Sequence, residues 1–441
     1  MAKISFVSLG CPKNQVDAEL MLASLACAGH EITPYENEAD VIVVNTCGFI
    51  EDAKKEAIEN ILEAARYKTE GSLKALIVTG CLSERYREEL AEQFPEVDAV
   101  VGIGRNADIV SITEAALAGK KGTYFAGKDK LPLEGARMQS TPFYTAYIKI
   151  AEGCDNCCTY CAIPSIRGPF RSRPMESIIE EAKGLAANGV RELTVIAQDT
   201  TKYGEDIYGE PKLAALLREL CRIDGLVFIR TLYTYPDRIT DELIDTVASE
   251  EKLCKYFDIP VQHCNGEILS RMNRNGDRKT LEALFARIRE RIPGVTLRTS
   301  LITGFPSETE EQFTELCEFV NTVRFERLGC FPYSAEEDTP AAGFDGQIDE
   351  QTKSDRAETV MNDQLRIVTE NNEKLIGSTV KVLVEGYDDY IKCYFGRSGA
   401  DAPEIDGKIF FMSEKELFAG DFTDVLINDT IDYDLLGEAA E

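Results

Sequence analysis

A chain of 441 residues, 44% of them hydrophobic, carries enough apolar material for more than one core, and two or three domains are expected. Its formal charge of −29, from 77 acidic and 48 basic side chains, disfavours a nucleic-acid partner, because phosphate binders present a basic face; it fits a basic protein partner or simple solubility. No apolar run reaches the length of a membrane span, no signal-like segment is evident, and two histidines leave little scope for His-rich zinc chemistry. The expected place is the cytoplasm, where the fourteen cysteines serve as thiols or metal ligands instead of disulfides.

Three apolar runs, residues 4–11, 40–47 and 75–81, each end in a cysteine. Helical patterns follow them, among them 17–28 and 50–67, so residues 1–125 read as a βαβαβα unit on a parallel sheet. Parallel strands bring their carboxyl ends to one edge, and Cys11, Cys47 and Cys81 are expected to meet there if the strands are neighbours. Gly48 and Gly80, beside two of these thiols, allow backbone to approach a bulky inorganic core. A redox trio or a structural zinc also fits three thiols. Cys27, inside an apolar helix, is expected in the core.

Residues 126–142 mix Gly, Lys, Pro and Ser without periodicity and read as a linker. From 143 to 372, six strand-like runs (146–150, 192–197, 227–233, 256–261, 296–303 and 327–332) alternate with helical patterns, which predicts a partial βα barrel with its site at the carboxyl ends of the strands and an open side for a macromolecular substrate. After the first run comes Gly153-Cys154-Asp155-Asn156-Cys157-Cys158-Thr159-Tyr160-Cys161, four thiols within eight residues of loop-forming sequence, which asks for a metal. Read as C-x-x-x-C-x-x-C, the ligands are Cys154, Cys158 and Cys161, and one iron of a four-iron cubane stays open. With Cys157 included, four ligands or a zinc knot are the other readings. Gln198, Asp199, Gln262 and Arg298 read as polar strand-end residues, either contacts to a cofactor or substrate or satisfied core groups. Thr303-Gly304-Phe305-Pro306-Ser307 places a glycine before a helix start capped by Ser307. A last helix at 365–375 precedes strands at 380–385, 391–394, 408–412 and 422–433, so residues 373–441 are expected to form a small β-barrel.

The cysteine loop resembles the signature of radical S-adenosylmethionine enzymes. Its continuation, Ile163-Pro164-Ser165-Ile166-Arg167-Gly168-Pro169-Phe170-Arg171-Ser172-Arg173-Pro174, resembles the methylthiotransferases, as do Ser8-Leu9-Gly10-Cys11-Pro12-Lys13-Asn14, Asn45-Thr46-Cys47-Gly48-Phe49 and Thr79-Gly80-Cys81-Leu82. The resemblance covers essentially the whole chain, the terminal β-module being similar to a TRAM domain. It implies two 4Fe-4S clusters, one on Cys154, Cys158 and Cys161 and one on Cys11, Cys47 and Cys81, together with S-adenosylmethionine whose adenine lies near Tyr160; of the strand-end residues, Gln198 and Arg298 are the candidates to contact it. Where Ser307 stands the family usually has Gly.

The segment from Gly396 to Gly407 looks like the version in enzymes that modify a ribosomal protein. The implied activity is methylthiolation of the β-carbon of an aspartate in ribosomal protein S-twelve, free or in the assembled small subunit, with a reducing electron donor and no membrane. A tRNA methylthiotransferase shares all six ligands, and a non-catalytic iron-sulfur carrier or redox sensor is the alternative of another class. Residues 371–441 hold sixteen acidic and six basic side chains, which repel phosphate and attract a basic protein. Asp401, Glu404 and Asp406 are expected on that docking surface.

Overall fold

β3 (Val41–Thr46) and β4 (Ala75–Gly80) are buried along their whole length, as parallel strands covered by helices on both faces must be. In the computed structural model, which describes residues 1–440, they lie in a six-stranded parallel sheet with β1 (Lys3–Ser8), β2 (Glu31–Ile32), β5 (Ala99–Val101) and β6 (Gly122–Tyr124), in the order β2-β1-β3-β4-β5-β6. The three cysteine-ended strands are therefore neighbours. Helix α1 (Pro12–Cys27) follows β1, α2 (Glu51–Glu70) follows β3, and α3 (Cys81–Gln93) and α4 (Ile109–Leu117) follow β4 and β5. Cys27 is exposed, not in the core as expected, because it is the last residue of α1.

The second sheet system begins at β7 (Thr145–Lys149), with the short antiparallel pair β8 (Ala151–Glu152) and β9 (Arg171–Ser172) after it. Then come β10 (Glu192–Ile196), β11 (Phe228–Thr231), β12 (Tyr256–Asp258), β13 (Thr296–Thr303) and β14 (Arg327–Pro332). β11-β10-β7 and β12-β13-β14 are parallel triples, and the Cys254 amide donating to the Ile229 carbonyl at 2.9 Å joins them into the expected partial barrel. The first sheet docks on its carboxyl end through α1, whose Lys13, Asn14, Asp17 and Glu19 are all buried. Val16 packs with Ile196 and Leu232 inside the barrel. Residues 126–142 are tied down on the same seam: Arg137 pairs with Glu19 and Glu181 and donates to the Tyr147 carbonyl at 2.8 Å. Among the described residues no helix is long and apolar enough to cross a membrane.

The helix Glu350–Glu373 leads to a closed five-stranded barrel, β15 (Thr379–Asp388), β16 (Cys393–Ser398), β17 (Ile409–Met412), β18 (Phe422–Ile431) and β19 (Asp434–Ala439). The run expected at 422–433 is cut short by a turn in which Asp432 adopts φ 50°, and β19 pairs back on β18. The loop after β16 turns Asp401 and Asp406 inward, which corrects the sequence reading for those two, while Glu404 stays exposed. The loop enters the amino end of the partial barrel, where Asp401 pairs with Arg327 at 2.6 Å, Asp406 accepts from the Tyr256 hydroxyl at 2.6 Å, and Glu404 accepts from the Tyr147 hydroxyl at 3.4 Å. Arg397 grips Glu192 through two bonds of 3.0 and 2.6 Å. Burial opposes the charge on Asp401, but Arg327 and Ser398 hold its carboxyl below the usual range. Carboxylates that look like surface in a polar loop are here the counter-charges of barrel arginines.

Arg397→Ala takes away the bidentate partner of a fully buried carboxylate and is expected to destabilise the protein by about 3 kcal/mol or more. Glu404→Ala removes an exposed side chain and is expected to change stability by no more than about 1 kcal/mol. Denaturant unfolding of the two variants checks the contrast, and equal midpoints would contradict this seating of the loop.

Candidate functional site

Cys11, Cys47 and Cys81 follow β1, β3 and β4 at one edge of the first sheet. The loops carrying them are stitched together. Asn14 donates to the Leu9 carbonyl at 2.8 Å and the Thr46 carbonyl at 3.3 Å, Asn45 donates to the Asn14 carbonyl at 2.9 Å, and Thr46 donates to the Thr79 carbonyl at 2.6 Å. A Cβ on Gly10, which has φ 87°, would stand 2.7 Å from the Cys47 Cβ, and one on Gly48 would stand 2.7 Å from the Leu82 Cα. The glycines beside these thiols therefore let neighbouring loops touch. Burial pushes Cys81 up to about 12, against the pull of Arg167, and raises Cys47 too.

The second set lies in the loop between β8 and β9. The Cys154 amide donates to the Gly168 carbonyl at 3.1 Å, and the Cys161 amide donates to the Cys158 carbonyl at 3.0 Å. Thr159 is held from outside, its hydroxyl donating to the Arg271 carbonyl at 2.8 Å and its carbonyl accepting from Ala341 at 2.9 Å. Asn273 donates to the carbonyls of Asn156 and Cys157 at 3.2 and 3.0 Å. Cys158 is buried, Cys154 and Cys161 are half-buried, and Cys157 is exposed with a left-handed φ of 50°. Burial pushes Cys154 up to about 11 and Cys161 up to about 12.

Each set carries one buried arginine. Arg274 donates to the Cys158 sulfur at 3.7 Å, stacks over Tyr235 at 4.3 Å and is anchored on the Pro260 carbonyl at 2.6 Å. Arg167 donates to the Cys81 sulfur at 3.4 Å and stands on α5 (Ile163–Arg167), the helix that follows Cys161. Cys81 packs against Ala162 and Ile166, which follow Cys161 in the chain. Between them, Lys149 and Arg167 share the carboxylates of Asp17 and Glu152, with all four side chains 0–1% exposed. Burial works against ionised Glu152, yet Lys149 and Arg167 hold its carboxyl well below the usual range. The sequence reading passed over Lys149, Glu152 and Asp17. A lysine inside the apolar run Ile148-Lys149-Ile150-Ala151 was the available sign of a buried charge.

Tyr160 packs with Ile268, Met272, Phe305 and Tyr333 on the barrel side of the cysteine loop. Gln198, after β10, donates to Glu152 at 2.7 Å and leaves its own Oε1 buried without a partner, an acceptor that an amino or hydroxyl group of a bound cofactor would fit. Asp199 is already engaged by Arg238 at 2.7 Å and by Asn156 at 2.9 Å, and Gln262 sits at φ 72°. Arg298 is not at a carboxyl end. It is the third residue of β13, pairs with Asp258 at 2.8 Å and lies 3.6 Å from Asp406 at the opposite end of the barrel. Ser307 has φ 64°, the region a glycine enters at no cost, so the departure from the family's Gly carries strain; the helix cap is Thr309 in a capping box with Gln312, not Ser307.

Family models match three stretches: Uncharacterized protein family UPF0004 over residues 3–102, the Radical SAM superfamily over 148–320 and the TRAM domain over 376–440. Among solved structures, the radical S-adenosylmethionine methyltransferase TsrM from Kitasatospora setae is similar in fold, with a TM-score of 0.58 and 16% identity over 88% of this chain and 79% of that one. Ribosomal protein uS12 methylthiotransferase RimO of Geobacter sulfurreducens is 50% identical over 99% of this chain and 98% of its own. The protein of the same name from Lachnoclostridium phytofermentans is also 50% identical, over 99% of this chain and 100% of its own. With half of its residues shared along nearly the full length of both partners, the chain belongs to the ribosomal protein uS12 methylthiotransferase family.

Proposed function

We propose that this chain adds a methylthio group to the β-carbon of an aspartate in ribosomal protein uS12, in the cytoplasm, using S-adenosylmethionine, two 4Fe-4S clusters and an external reducing electron donor. The observation that carries the reading is the buried charge set that ties the helix after Cys11 to the loop bearing Cys154, Cys158 and Cys161, in a chain matched end to end by relatives of that name. Cys154, Cys158 and Cys161 hold one cluster and Cys11, Cys47 and Cys81 the other, each set leaving one iron without a protein ligand. The exposed, left-handed Cys157 supports its exclusion from the ligands. Bound there, the clusters and S-adenosylmethionine supply hydrogen abstraction from an unactivated carbon and a sulfur to replace the hydrogen.

The protein's part is placement and exclusion of water. Tyr160 and the free acceptor of Gln198 orient the cofactor at the carboxyl ends of the strands, while α1 covers the barrel mouth and keeps solvent from the reacting carbon. Residues 1–125, 143–372 and 373–441 form the three units, with 126–142 as the strap between the first two. The substrate is a protein and not a tRNA, a choice supported by the formal charge of −29, which repels a phosphate backbone and attracts a basic ribosomal protein.

Anaerobic reconstitution is expected to load about eight irons per chain. Replacing Cys154, Cys158 and Cys161 by Ala should remove about half of them and all cleavage of S-adenosylmethionine, and Cys157→Ala should keep both. Loss of a cluster in Cys157→Ala would contradict the ligand set. Offered uS12 and tRNA together, the protein is expected to give a methylthiolated aspartate by mass spectrometry. A methylthiolated nucleoside with unmodified uS12 would overturn the substrate.

A further inference from the structure

Arg167 makes four contacts from a fully buried position. Nη1 donates to Asp17 at 2.6 Å and Glu152 at 3.1 Å, and Nη2 donates to the Asn14 side-chain oxygen at 3.2 Å and the Cys81 sulfur at 3.4 Å. Lys149 also pairs with both carboxylates, so the two cations and two anions balance before any thiolate is counted. The Nη2 edge is thus aimed at a sulfur whose ionised form adds an uncompensated negative charge. Only the planar fork of an arginine serves carboxylates on one edge and a sulfur on the other; a lysine ammonium is a single point. Asn14, which fixes the second Nη2 contact, also binds the carbonyls of Leu9 and Thr46, beside Cys11 and Cys47.

We infer that Arg167 is a positioning residue that tunes the cluster on Cys11, Cys47 and Cys81 through its hydrogen bond to Cys81, and that it fixes this cluster's place relative to the Cys154 loop. The inference rests on the reading of those three thiols as ligands. A hydrogen bond and a positive charge at a ligating sulfur withdraw electron density from iron, which makes the cluster easier to reduce. The helix bearing Arg167 begins two residues after Cys161, so one side chain ties the electronic state of one site to the backbone of the other.

The test is a redox titration, followed by electron paramagnetic resonance, of full-length protein in which Cys154, Cys158 and Cys161 are Ala, so that only the second cluster is present. Arg167→Gln is expected to disfavour reduction about tenfold, which for a one-electron couple is a shift of about 59 mV to more negative potential. Arg167→Lys, which keeps the charge and loses the fork, should shift in the same direction by less. A potential unchanged in both variants at full iron content overturns the inference. Loss of the cluster from both variants, with Arg167 protein still loaded, assigns the residue a structural role only and overturns it as well. If protein with Arg167 intact forms no cluster on these thiols, the ligand reading fails and this inference falls with it, an outcome told apart by the iron content of the unaltered chain.

Discussion

Lys149 and Arg167 share the carboxylates of Asp17 and Glu152 in a seam that water does not reach. Isolated charges in such a place would be intolerable, but this set is neutral and each member is bonded to two others. Removing any one leaves a net buried charge that the other three no longer balance, at a cost of about 3–5 kcal/mol. The set joins three pieces of chain: Asp17 comes from α1, Lys149 from β7, and Glu152 and Arg167 from the two sides of the cysteine loop. The positions of the sheet edge and of the loop are both set by it, so the spacing of the two thiol triads depends on these four side chains.

From that seam the rest of the site follows. With α1 held over the carboxyl ends of the barrel strands, Lys13 lies 3.2 Å from the centre of the Tyr233 ring and Val16 enters the barrel interior. The other end of the barrel is filled by the loop after β16, whose acids meet Arg327 and Arg298. The barrel is thus capped at one end by an α/β sheet and plugged at the other by a β-module.

What could be read in the sequence was what local pattern records. Apolar runs ending in Cys11, Cys47 and Cys81 placed three thiols on one sheet edge, and the run of barrel strands was recovered with small shifts at the ends. Pairing across the domains left no periodic trace. The charges of α1 went unread because their partners lie more than a hundred residues away, as Asp17 and Arg167 do. Asp401 and Asp406 looked like surface for the same reason. Arg298 was assigned to the wrong end of its strand because a strand pattern marks faces and not depth. Ser307 kept a left-handed backbone that its residue type does not advertise.

The central claim is that one buried charge set holds two clusters close to one another. Electron paramagnetic resonance of the fully reduced protein, compared with variants that carry only one triad each, tests it most directly. Clusters that close interact magnetically, so the spectrum of the double-cluster protein should be split or broadened beyond the sum of the two single-cluster spectra. A spectrum equal to that sum would contradict the account.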